Sequence, residues 1–148
     1  MATITEIQAE IVEDFSFLPE WDERYAYLIE LGQHLESLPD EYKTEENIVR
    51  GCQSTVWLHR ACRDGVVFFQ ADSDSLIVKG LAALLMKVFS GQPAAEVRVA
   101  DLTFFELTGM NKHLSTQRAN GLMAMVEQIK AYSGLKGIIY AGLGFYMS

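Results

Sequence analysis

The sequence predicts an α+β domain. Three stretches carry apolar residues at the three-to-four spacing of an amphipathic helix, a fourth is apolar nearly all round, and a β-prone pair of runs flanks the turn dipeptide Asp64-Gly65. No internal repeat, long linker or low-complexity block interrupts the 148 residues, so one domain spanning 1–148 is expected.

The first helix opens at Thr3-Ile4-Thr5-Glu6, which has capping-box form, and carries Ile4, Ile7, Ile11 and Phe15 on one stripe. Phe17-Leu18-Pro19 should end it. After Pro19 a second helix places Trp21, Tyr25, Leu28, Gly32 and Leu35 on one side, with its end near Leu38-Pro39-Asp40. The stretch from Asp40 to Asn47 is acidic and polar without a clear period, so it reads as a surface connection leading into Arg50-Gly51-Cys52. Ser54 to Cys62 and the run Val66-Val67-Phe68-Phe69 make a hairpin around Asp64-Gly65.

Asp72-Ser73-Asp74-Ser75 offers several N-caps for a helix from about Leu76 to Phe89, apolar nearly all round and therefore central, with Gly91 as its stop. Pro93-Ala94-Ala95-Glu96 reads as a short helical start. The stretch from Val97 to Leu107 is assigned in part to a third strand or a short helix. Ser115-Thr116-Gln117-Arg118 opens the last long helix, with Leu122, Met125, Val126, Ile129 and Tyr132 on its stripe and Gly134 as its expected close. The apolar, Gly-rich tail at about 135–148 fixes no single secondary structure and takes no assigned role.

Composition narrows the function. A net charge of −8 and a pI near 4.8 repel phosphate backbones and anionic headgroups, and no run of Lys and Arg offsets this. Nucleic acid and membrane are thus poor partners. Met1-Ala2-Thr3-Ile4-Thr5-Glu6 lacks the basic flank and apolar stretch of a signal peptide, and Lys79 and Lys87 cut the Leu81–Phe89 run short of a membrane span. A cytoplasmic protein is expected.

Two cysteines cannot complete a four-ligand metal site, and His34, His59 and His113 show no metal spacing. A lone cysteine is by default a small buried hydrophobe. Cys52 departs from that default, lying between Gly51 and Gln53-Ser54 where a polar connection meets a strand. Gly51 permits φ > 0, and Arg50 is the nearest cation that could favour the thiolate of a thiol whose reference pKa is about 8.5. Cys62 is no redox partner for it. A strand from Ser54 to Cys62 spans roughly 26 Å at about 3.3 Å per residue, far beyond the Cα separation of about 4.4–6.8 Å in a disulfide.

Four segments carry a resemblance to a known family. They are Tyr27-Leu28-Ile29-Glu30-Leu31-Gly32, Gly51-Cys52-Gln53-Ser54-Thr55-Val56-Trp57, Asp72-Ser73-Asp74-Ser75-Leu76-Ile77-Val78-Lys79-Gly80-Leu81 and His113-Leu114-Ser115-Thr116-Gln117-Arg118-Ala119-Asn120-Gly121-Leu122. In this order they resemble the SufE-type sulfur acceptors, which stimulate a cysteine desulfurase and relay its sulfur to iron-sulfur cluster assembly.

The resemblance implies a SufE/IscU-like fold, a small antiparallel sheet with helices packed mainly on one face. It also implies thiol-persulfide exchange at Cys52 with a SufS-like cysteine desulfurase, and delivery to a downstream iron-sulfur scaffold complex. Pyridoxal phosphate would then sit on the desulfurase, and this chain would need no cofactor. Loop movement around Arg50–Ser54 is expected. Arg50, Gly51, Gln53, Asp74 and Arg118 become candidate loop or partner contacts, against blander readings of Asp74 as a helix cap and Arg118 as a solvent-facing side chain. His113 is as readily a surface residue as a proton donor.

Cys62 and the tail fall outside the family pattern, and the tail could cover a groove or the face of a homodimer. The rival reading is an iron-sulfur or zinc scaffold of similar fold, and a peroxide-reducing thiol enzyme is a third.

Overall fold

A computed structural model describes the backbone of residues 2–143 and the side chains as far as Lys136. Helix α1 (Ile4–Ser16) opens on the expected capping box: Thr3 Oγ1 accepts from the Glu6 N–H and the Glu6 carboxylate accepts from the Thr3 N–H. Helix α2 (Trp21–Gln33) stops before the predicted Leu38. His34 caps it with Nδ1 beside the Glu30 carbonyl at 2.9 Å, and Pro39 disfavours helix at Leu38, which is buried instead as an anchor of the extended chain.

Two single 3-10 turns, Asp40–Tyr42 and Glu45–Asn47, replace the plain connection. Strands β1 (Val56–Arg63) and β2 (Val66–Ser73) then pair antiparallel through a two-residue turn. Asp64 at φ 54° and Gly65 at φ 79° give the turn the double positive φ that a tight hairpin requires.

Helix α3 (Leu76–Phe89) follows, capped by Ser75, whose Oγ accepts from the Val78 N–H. Of the two readings of Val97 to Leu107, a third strand or a short helix, the structure has the helix, and the third strand lies just upstream. It is the two-residue β3 (Gln92–Pro93), paired antiparallel to β2 at Val66 and Val67 and completing the order β1-β2-β3. The stretch after it is helical: α4 (Ala94–Val99), α5 (Thr103–Leu107) and α6 (Met110–His113).

Helix α7 (Thr116–Leu143) runs 28 residues and passes through Gly134. Gly134 lies beside Arg98 of α4, where an added Cβ would make ordinary contact at 3.4 Å from Arg98 Cδ. A glycine inside a helix costs about 1 kcal/mol against Ala, which neighbouring contacts can offset. The unassigned tail is therefore helical over 135–143, and residues 144–148 lie outside the described residues.

Helices α3 and α7 cover one face of the sheet. Val56, Leu58, Val67, Phe69 and Ala71 are buried against them, and Arg60, facing Phe69 across the strands, reaches α7 to donate to Gln128 Oε1 at 3.1 Å. Ten of the α3 residues are buried, so nearly the whole circumference of this helix is core. Full burial of side chains such as Leu81, Leu85 and Phe89 stabilises the fold by about 1.5–3 kcal/mol each. Among the described residues no helix is long and apolar enough to cross a membrane.

Candidate functional site

The loop carrying Cys52 is short because both of its ends are fastened. Upstream, Ile48 forms a bridge to Trp57 and the Val49 N–H donates to the Val56 carbonyl at 2.9 Å. Downstream, the Asp74 carboxylate accepts from the Thr55 N–H at 3.1 Å, and the Thr55 carbonyl accepts from the Asp74 N–H at 3.2 Å and from Ser73 Oγ at 2.9 Å. Asp74 thus does not cap α3, a role taken by Ser75, and instead holds the end of the cysteine loop. Only Arg50–Ser54 is left between the anchors.

Gly51 adopts φ +91°, as its position before Cys52 suggested. The turn lets Cys52 reach α7, where its thiol donates a long hydrogen bond to the Gly121 carbonyl, Sγ to O 3.8 Å. Gly121 leaves the room: a Cβ in its place would lie 3.7 Å from Cys52 Sγ, an ordinary contact that a larger side chain would violate. We therefore expect Gly121→Ala to leave Cys52 seated and Gly121→Val to expel it, raising its alkylation rate under native conditions. Equal rates for the two variants would contradict that packing.

Beside the sulfur lies a cavity of about 180 Å³. Gln53 and Ser54 line it from the loop, Ser75 and Val78 from the start of α3, and Gln117, Arg118 and Gly121 from the start of α7. Two helix N-termini and Arg118 line this space, an arrangement that favours an anion. Arg118 is thus brought to Cys52, and Gln53 with it.

Arg50 is not. The cation expected to assist the thiolate pairs instead with Glu45 at 2.9 Å, on a surface where both side chains are exposed. The sequence placed Arg50 two residues from Cys52, but the positive φ of Gly51 separates their directions.

Cys52 is half-buried, and burial pushes its thiol pKa up. A thiol favoured by the folded state contributes stability that is fully present below its unfolded pKa and is lost as pH rises through the folded one. The pH midpoint for alkylation of Cys52 is accordingly expected above that of a cysteine in an unstructured peptide. A midpoint at or below the peptide value would contradict a seated thiol.

Cys62 is buried in β1 opposite Val67, as expected for a structural residue. His113 stacks on Trp21 with ring centroids 4.2 Å apart and is not among the residues lining the cavity. Sequence reasoning missed Asp72, which it treated only as a cap candidate. The residue is buried, and its carboxylate meets Lys43 at 3.4 Å and Lys79 at 3.3 Å. Burial opposes its ionised form, but the Ser73 N–H and the two ammonium groups outweigh that and hold the carboxyl below its usual range. A carboxylate inside a strand, with lysines before and after it, was the available signal.

The profile of the SufE family, described as an Fe-S metabolism associated domain, matches residues 9–133. The chain belongs to the SufE family. An uncharacterized SufE-like protein of Rhizobium meliloti is 45% identical over 127 residues, covering 82% of this chain and 91% of the relative. A second, from Rhizobium etli, is 43% identical over 126 residues, covering 82% of this chain and 85% of the relative. The solution structure of a hypothetical protein from Thermus thermophilus superposes with a TM-score of 0.72 at 22% identity, covering 88% of this chain and 95% of that one. It shares the α+β fold. The SufE match ends at residue 133, so α7 continues ten residues beyond it, to Leu143.

Proposed function

We propose that this SufE-family protein accepts sulfur from a cysteine desulfurase as a persulfide on Cys52 and relays it to an iron-sulfur scaffold complex. The observation that carries the reading is the seat of Cys52, with its sulfur beside an anion-favouring cavity at the tip of a five-residue loop hinged on Gly51.

The step needs little from the chain. The Cys52 thiolate attacks the outer sulfur of the donor persulfide, a new S–S bond forms at Cys52, the donor's S–S bond breaks, and the donor cysteine leaves as thiolate. Carbon-sulfur cleavage belongs to pyridoxal phosphate on the desulfurase, so no resident cofactor is required here. The resting thiol, half-buried and protonated, must leave Gly121 to meet the donor. The anchors at Val49 and Thr55 confine that movement to Arg50–Ser54, with Gly51 able to take the backbone change. On return, the cavity lined by Arg118 and two helix N-termini would favour the anionic outer sulfur. This chemistry suits a reducing, cytoplasmic setting.

A scaffold of similar fold would gather several ligands around Cys52. The residues lining its cavity include no second Cys, His, Asp or Glu, which favours the acceptor over the scaffold. The test is desulfurase turnover of free cysteine with and without this protein. Wild type should accelerate turnover and Cys52→Ser should not; equal stimulation by both would remove the acceptor role.

A further inference from the structure

Asp72 has no part in the sulfur-transfer step, yet its surroundings bear on it. It stands directly opposite Trp57 across β1 and β2, so the two side chains share a face of the sheet. Lys43, from the segment between α2 and β1, reaches over that face: its Nζ lies 3.4 Å from Asp72 Oδ2 and 5.4 Å from the centroid of the Trp57 ring. Its neighbour Tyr42 stacks on His59 of β1 with centroids 3.7 Å apart, and the Asn47 side chain donates to the Tyr42 carbonyl at 2.7 Å. Residues 40–49 thus form a strap lying on the hairpin, and they run straight into the cysteine loop at Arg50.

The two lysines on Asp72 differ in what they join. Lys79 belongs to the first turn of α3, which continues from β2 through Ser75, so its contact lies within one rigid unit. Lys43 joins the strap to that unit by an ion pair, beside the Tyr42 stack and the Ile48 and Val49 contacts that join it to β1. The exposed Arg50–Glu45 pair is screened by water and worth little, whereas Asp72 is buried and its carboxylate is fixed by the Ser73 N–H at 2.8 Å.

We infer that Asp72 is a positioning residue that fastens the strap through Lys43 and so keeps Cys52 seated against Gly121. The inference rests on Cys52 as the working sulfur. Without the fastening, the strap is held on the hairpin by the Tyr42–His59 stack and the Ile48 and Val49 backbone contacts alone, and a segment pinned at fewer points loses more conformational freedom on holding the closed position.

The test is the native-state alkylation rate of Cys52, read on its own peptide, together with the far-UV circular dichroism of each variant. Asp72→Asn and Lys43→Met should each raise the rate about fivefold, the double variant no further, and Lys79→Met should stay within about twofold of wild type. A general loss of stability would not separate Lys43 from Lys79. The inference is overturned if Lys43→Met leaves the rate within about twofold of wild type, or if Lys79→Met matches it. Should Asp72→Asn fail to fold, the comparison of the two lysine variants decides alone. No desulfurase takes part, so this result and the persulfide result can fail separately.

Discussion

Replacing Gly80 with Ala is expected to destabilise the protein by about 2–3 kcal/mol, which for a chain of this size lowers the melting temperature by roughly 4–12 °C. Helices α2 and α3 cross with backbones in contact, and Gly80 sits at the point of closest approach. A Cβ there would overlap the Leu28 carbonyl oxygen and stand 2.6 Å from its carbon, while Leu28 itself is fully buried. The obstacle is backbone, which cannot rotate away as a side-chain tip would. Helix propensity works in the opposite direction, because Ala is better than Gly by about 1 kcal/mol inside a helix. An unchanged or raised melting temperature, followed by circular dichroism, would mean that propensity wins and that the crossing is looser than described. Gly32, whose added Cβ would lie 2.9 Å from the Gly80 nitrogen, should show the same sign with a smaller effect.

Cys52→Ser is expected to abolish sulfur acceptance while leaving the fold intact. Serine is close in size to cysteine and can keep the contact with Gly121, but its hydroxyl does not ionise near neutral pH and forms no persulfide. Cys62 cannot take over, being 5% exposed and held in β1 opposite Val67. Cys62→Ala should therefore accept sulfur as wild type does, at some cost in stability from the buried space it leaves.

Much of this arrangement was legible in the sequence, for identifiable reasons. The Thr3/Glu6 capping box, the Asp64-Gly65 turn and the apolar run of α3 are local signals whose physics needs no distant partner, and each stands where expected. Gly51 beside Cys52 announced the bend that the loop makes. What failed depended on tertiary contact. Gly134 looked like a helix stop, but α7 runs on past it alongside Arg98 of α4, a contact that could not be foreseen. Arg50 looked like the activating cation because proximity in sequence says nothing of direction after a positive φ, and Glu45 claims it. The acidic stretch before the cysteine looked like a solvated connection. Its Lys43 and Tyr42 are instead bound to residues of the hairpin, at Asp72 and His59, which no periodicity links to them.

Asp74 and Arg118 both lie near the cysteine, held there by different elements. Asp74 grips the Thr55 N–H at the loop's downstream end, and Arg118 enters the cavity from the first turn of α7. Neither position follows from the blander readings of a helix cap and a solvent-facing charge.

The central claim, that Cys52 carries transferred sulfur, is tested most directly by peptide mass spectrometry after incubation with a cysteine desulfurase, free cysteine and pyridoxal phosphate. The account predicts the mass of an added sulfur on the Cys52 peptide and none on the Cys62 peptide. Sulfur on Cys62, or an unmodified Cys52 beside a desulfurase that is turning over, would contradict it.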